Sequence, residues 1–371
     1  MAQITWLDKL KEKVAVDVDW MDPGYIESMQ PKIKFTDMTS NQLWVDVELG
    51  QPSNAEMIKQ VATELKKELG DSDAEKLWLH IYTRAAVLLC KKTIDMISGR
   101  VLLQTLPSKA YDVEATLNHA RLYDDEFARV GIGRDRYCIK IPSTGPALNA
   151  AHALQKLGIQ TLGTALFCIP QAVAAAQAGC LYISPYYNEN KAHTDRSLWP
   201  DVKDPAMEHP NSPRIVQILE MYNRHTPEGW QTSGDVRKNP VMKLASFISP
   251  EEVMGAAEMG CKSVTVSHTV LDELASRVYD PSAHPCLQEG DGKRLAKLLE
   301  IDPLSPDNKP IPIDEARYKT DYLDDANNGK PLDDAIAADP EAARRLKFAL
   351  EMFIGAELKS KEKIEKVLAA L

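Results

Sequence analysis

A chain of 371 residues, 44% hydrophobic and 26% charged, is long enough to bury a sizeable core and ordinary for a globular protein. Its formal net charge of −10, with no basic stripe and no interleaved aromatics, argues against a nucleic-acid partner, because phosphate backbones need clustered Lys and Arg. No run of about eighteen apolar residues could span a membrane, and the mixed segment Met1–Lys13 lacks a signal-peptide core. Cys90, Cys138, Cys168, Cys180, Cys261 and Cys286 are scattered without C-x-x-C spacing. They read as reduced, buried thiols, and the expected address is the cytoplasm.

Short apolar runs alternate with longer segments of helical period, the βα pattern of a parallel sheet or barrel. Strands are expected at Val14–Asp17, Ile33–Thr36, Val101–Thr105 and Tyr137–Ile141, then at Thr161–Phe167, Leu181–Ser184, Val241–Phe247 and Ser263–His268. Helices are expected at Asn54–Leu69, Ala74–Ile97, Val113–Val130, Ala147–Leu157, Ile169–Ala178, Pro213–Arg224 and Pro250–Met259. No helix is legible between the first two strands. Gly131, Gly158, Gly179 and Gly260 each follow a helix and precede a strand, the left-handed C-cap position where a Cβ would clash. The repetition favours an α/β fold of (β/α)8 barrel type over 1–275. The extension, 276–371, is Pro- and Asp-rich through Asp339 and helical from Pro340, and is expected to pack on the barrel within the same domain. The polar connection Tyr187–Ser212 reads as a lid over the active face, since βα loops build that face in barrels, or else as a disordered connection.

Lys140 lies in the apolar run Tyr137-Cys-Ile-Lys-Ile-Pro142. Ile139 and Ile141 alternate with it, so they face the helices while Lys140 points into the barrel. Burial there disfavours the ammonium and frees an amine able to condense with a carbonyl. Pattern alone leaves a second reading equally open, a strand-end Lys that snorkels to water or pairs with a carboxylate. Asp17 ends the expected first strand and is a candidate proton shuttle, with Asp19 its neighbour and competitor; a turn or cap role is the commoner fate of such an Asp. Thr164 and Ser184 are hydroxyls near the ends of the fifth and sixth strands. No H-x-x-x-H pair, G-x-S-x-G elbow or dinucleotide loop competes.

The order and spacing of the local motifs resemble those of transaldolases from Lys13 to Leu274. After the Asp17 strand come Asp37-Met-Thr-Ser-Asn41, Ser98-Gly-Arg-Val-Leu-Leu-Gln104 and Arg136-Tyr-Cys-Ile-Lys-Ile-Pro-Ser-Thr144. Thr161-Leu-Gly-Thr-Ala-Leu-Phe167, Gln171-Ala172, Leu181-Tyr-Ile-Ser-Pro-Tyr186 and Leu244-Ala-Ser-Phe247 follow. The resemblance implies a barrel enzyme that moves a dihydroxyacetone unit between sugar phosphates through a lysine enamine, with no cofactor and no metal. By position, Lys140 would be the nucleophile, Asp17 the acid/base and Thr164 the holder of the catalytic water. Asn41 and Ser184 would bind substrate hydroxyls, and Ser246 would lie near the phosphate site. Homodimers occur among such relatives.

Four positions depart from the family pattern. The Glu on the third strand is Gln104, which can orient water but cannot take up a proton. The Phe on the sixth strand is Tyr186. Both substitutions resemble fructose 6-phosphate aldolases, which release free dihydroxyacetone. The two phosphate-binding Arg positions fall at Glu189 and Ile248, so sugar phosphates are expected to bind poorly, with Lys191, Arg196 or Arg214 as the basic residues nearest the long loop. His268 is either a new substrate contact or a satisfied polar residue. Three readings follow: a Schiff-base aldolase using a small ketone and aldehyde, non-phosphorylated or unusual; an ordinary pentose-phosphate transaldolase; or a non-catalytic barrel binding a metabolite or partner.

Overall fold

The computed structural model describes residues 3–70, 73–225, 231–232, 235–236, 239–280 and 293–371, which leaves Cys286 outside the described residues. Eight strands form a closed barrel: β1 (Ala15–Asp19), β2 (Met38–Thr39), β3 (Val101–Gln104), β4 (Tyr137–Pro142), β5 (Thr161–Leu166), β6 (Tyr182–Pro185), β7 (Val241–Leu244) and β8 (Ser263–Ser267). Every barrel pairing is parallel, and β8 closes on β1 with Asp17 level with Thr265. Helices link the strands as a (β/α)8 architecture requires, and the Gly at 131, 158, 179 and 260 all take positive φ after them.

Alternation along the strands decides which side chains enter the barrel. Val101, Leu103, Ile139 and Ile141 belong to the large core between strands and helices. Leu102, Cys138 and Leu162 form a separate inner cluster with Tyr182 packed on it. One pleat further toward the C-terminal ends come Gln104, Lys140, Thr164 and Ser184, all buried. The same step separates Asp17 from Asp19 on β1.

β7 stops at Leu244, short of the expected Phe247, and the helix expected over Ala74–Ile97 ends at Lys91; three further expectations change at the start of the barrel. First, β1 runs to Asp19 instead of stopping at Asp17, so Asp17 lies at mid-strand. Second, Ile33 and Phe35 are buried but precede the strand, and β2 is only Met38–Thr39. Third, a helix, Pro23–Met29, does sit between β1 and β2, capped by the Asp22 carboxylate accepting from Gly24 N–H and started by a proline.

The C-terminal helix Pro340–Ala369 spans 30 residues, capped by Asp339. A buried ion network ties this end of the chain to the barrel. The Arg214 guanidinium meets Asp302 at 2.9 Å and Asp339 at 2.8 Å and donates to the Phe167 carbonyl at 3.0 Å. Closer still, the backbones of Gly145, which opens the helix after β4, and Gly329 meet where neither could carry a Cβ. None of the described helices is long and apolar enough to cross a membrane.

Candidate active site

Lys140 enters the barrel from β4, beside Gln104 of β3 in register. Its Nζ donates to Thr39 Oγ1 at 2.9 Å, and only 4% of the residue is exposed. Burial lowers its pKa; among the carboxylates opposing this, Asp19 acts most strongly and Asp17 less. The amine therefore has a hydroxyl partner and a desolvated setting, not a carboxylate clamp in open water.

The two aspartates of β1 have separate environments. Asp17 Oδ1 accepts the Asp37 N–H at 3.1 Å, while Oδ2 accepts from Lys243 Nζ at 2.9 Å and Ser263 Oγ at 2.8 Å. Lys243 also reaches Asp37 Oδ2 at 2.9 Å and lies over the Tyr182 ring. Burial works against that ammonium, but Asp17 and Asp37 outweigh it and raise its pKa. Both oxygens of Asp17 are thus committed to a buried charge network one pleat below the lysine amine. Asp19, at the strand's end, is only partly buried, and its Oδ1 accepts from Trp44 Nε1 at 2.9 Å. Burial raises its pKa, with Lys140 the chief opposing influence.

Opposite them, Thr164 Oγ1 and Tyr186 Oη are 3.1 Å apart. A bulge in the β5–β6 pairing, with Ala165 at φ 51°, sets this approach. Burial raises the Tyr186 pKa, so its hydroxyl stays protonated. Ser184 is level with Thr164 and buried. The Gln104 amide is 2% exposed, yet neither of its polar atoms has a hydrogen-bond partner. Such an amide inside a polar cavity is a ready site for water or substrate. Gln42 props the end of β3 by donating to the carbonyls of Gln104 and Thr105, each at 3.0 Å.

The remaining expected residues lie at the rim. Asn41 caps the helix Gln42–Leu49 through its side-chain oxygen and is buried, which leaves its NH₂ for other partners. Ser246, at φ 68°, donates to the Asn188 carbonyl at 2.9 Å and meets His193 Nε2 at 2.8 Å, so it latches the long loop. His268 opens the helix after β8 and packs at a tilt against Trp20, centroids 4.3 Å apart. Glu189 is paired with Arg344 of the C-terminal helix at 2.6 Å, and Ile248 is buried. Arg214 is locked in its ion network and cannot reach a phosphate, whereas Arg196 lies over the Trp199 ring at the surface. The segment 187–212 is strapped down, not free: Tyr187 Oη donates to Pro205 O at 2.7 Å, Asn211 to Tyr186 O at 2.8 Å and Trp199 to Glu252 at 2.7 Å. Among the described residues, no group of three or more His, Cys, Asp or Glu side chains is arranged to hold a metal.

Residues 16–328 match the family model described as transaldolase/fructose-6-phosphate aldolase. The chain belongs to this family. It is 28% identical over 347 residues to a protein named transaldolase from Acidobacterium capsulatum, covering 93% of this chain and 94% of that one. Over 340 residues it is 31% identical to a transaldolase of Rhizobium rhizogenes, 90% of this chain and 92% of the relative. A transaldolase of Nostoc punctiforme is 31% identical over 279 residues, 74% and 77% of the two chains. The protein is accordingly a transaldolase-family aldolase. Asp19 was legible as the competitor of Asp17, but ending β1 at Asp17 left it outside the strand, whereas the extension to Asp19 with the same period puts it on the lysine's side. Thr39 was legible inside the Asp37–Asn41 motif; Trp44, inside a helix, carried no signal that it reaches an acid.

Proposed function

We propose that this transaldolase-family protein makes or breaks a carbon–carbon bond through a Schiff base on Lys140, with Asp19, in place of Asp17, as acid/base. One observation carries the reading: the buried Lys140 amine rests on a threonine hydroxyl while Asp19, at the open end of β1, is the carboxylate acting on it most strongly. A neutral amine adds to a ketone of dihydroxyacetone type, loses water to give an iminium, and thereby acidifies the neighbouring C–H. Asp19 then moves the proton on the hydroxyl that becomes, or was, the aldehyde oxygen. Thr164 and Tyr186 hold the water that hydrolyses the iminium, Gln104 orients it through its free amide, and Asn41 and Ser184 bind the ketone's hydroxyls.

The acceptor, in this reading, carries no phosphate. Glu189 and Arg344 already hold each other, so neither is left as a free charge for a dianion, and Ile248 offers none. A second reading, ordinary transfer between sugar phosphates, is favoured by the name transaldolase on the relatives. Incubation with dihydroxyacetone, hydroxyacetone or fructose 6-phosphate, borohydride reduction and peptide mass spectrometry test both. Reduced adduct on Lys140 from the free ketones but not the sugar phosphate supports the first. Erythrose 4-phosphate-dependent turnover of fructose 6-phosphate would establish the second, and no adduct from any ketone would remove the Schiff base.

A further inference from the structure

The rim of the barrel beside Asp19 is aromatic. Trp20, the residue after Asp19, meets Trp44 edge-on with centroids 4.8 Å apart and His268 at 4.3 Å; Tyr25 adds an edge contact to His268 at 5.9 Å. All four are half-buried. The Tyr25 hydroxyl donates to the His268 carbonyl at 3.0 Å, and Trp44 donates to Asp19 at 2.9 Å, which fixes the wall against the acid. His268 Nδ1 is buried and has no hydrogen-bond partner. An aromatic rim with one unsatisfied polar atom is how small-molecule sites are commonly built, and nothing else in the described structure uses that nitrogen.

We infer that Trp20, Trp44 and His268 form the acceptor subsite, and that it takes an aldehyde bearing a flat apolar group in preference to a polyol or a sugar phosphate. The inference rests on the Schiff-base reading above. In the bond-forming direction, Asp19 takes the α-proton of the Lys140 iminium, and the enamine carbon so formed attacks the aldehyde carbon. The carbonyl π pair moves to oxygen, which takes the proton of Asp19, and the nitrogen lone pair restores the iminium. Water then adds to the iminium carbon, the C–N bond breaks, and the hydroxyketone leaves with the amine regenerated. No oxidant or reductant is needed. Throughout, the aldehyde's substituent projects past Asp19 onto the Trp20 and His268 rings, where stacking discriminates among acceptors.

The test uses the full chain with dihydroxyacetone as donor and phenylacetaldehyde, D-glyceraldehyde or glyceraldehyde 3-phosphate as acceptor. The expected kcat/KM for phenylacetaldehyde exceeds that for glyceraldehyde by about tenfold or more, the scale on which apolar pockets discriminate. In Trp20→Ala that ratio falls toward one, and in Trp20→Leu, which keeps bulk but no ring, it falls too; circular dichroism checks that each is folded. Borohydride trapping with dihydroxyacetone alone separates the two claims. Trapping on Lys140 with no preference for the aromatic aldehyde, or with a ratio that neither variant moves, overturns the acceptor subsite and leaves the Schiff base standing. Absence of trapping overturns both.

Discussion

Two residues apart on one strand, Asp17 and Asp19 share chemistry and differ in everything around it. Asp17 has both oxygens engaged by Lys243, Ser263 and the Asp37 amide; Asp19 sits at the mouth with Trp44. Asp17→Asn leaves the buried Lys243 ammonium with less counter-charge, and we expect a loss of stability on the order of 3 kcal/mol in urea denaturation, with Lys140 still trapped by ketone. Asp19→Asn should leave the denaturation midpoint near wild type and cut turnover by about 10²–10⁴, the usual contribution of a positioned acid/base. The opposite pattern would return the role to Asp17. Tyr186, 3.1 Å from Thr164, gives a separate test. Tyr186→Phe should lower free-ketone release relative to transfer to an aldehyde, read as a product ratio; an unchanged ratio removes the hydroxyl from the mechanism. At this scale Lys140 was legible because its neighbours alternate, whereas the choice between the aspartates was not. That choice depends on where β1 ends, and a boundary shift of two residues moves the candidate one full pleat.

Elements explain which parts of the architecture could be read in advance. β3, β4 and β5 appear close to their expected bounds because each is a compact apolar run between clear helical periods. The helix Pro23–Met29 escaped a reading based on hydrophobic period: it is short, but Asp22-Pro23 is an N-cap and first-turn pair that marks it. β2 was displaced because Ile33 and Phe35 alternate like a strand and are buried like one, yet serve the core below the ladder. The long C-terminal helix was legible; the ion partners at its start were not, since Arg214 finds Asp302 and Asp339 only in the folded chain. Arg214→Met strands two buried carboxylates, and a loss of about 3–5 kcal/mol is expected from the urea midpoint. A change under about 1 kcal/mol would mean that the network behaves as a surface pair. Gly329→Ala, at φ 74° against the Gly145 backbone, should also destabilise, because a Cβ there has no room and an unfavourable backbone conformation.

At the scale of the whole molecule, the barrel holds two lysines in one interior and gives them opposite electrostatics. Lys243 faces two carboxylates and stays an ammonium; Lys140 faces a hydroxyl in a dry setting and is pushed toward the free amine. Alternation with Ile139 and Ile141 placed Lys140 inside the barrel in advance, but Lys243 was not singled out, because its partner Asp17 lies far away in sequence. The proposed chemistry therefore stands on the protonation of one nitrogen. For a lysine whose pKa is depressed, the reactive amine is present above the lowered value and lost as the pH falls through it. The decisive measurement is the rate of borohydride-trapped dihydroxyacetone adduct on Lys140, followed from about pH 5 to 10. The expected rate levels off well below the ordinary lysine value of 10.5, with no adduct in Lys140→Met. A rate still climbing at the top of that range, or adduct on Lys243 instead, would contradict it.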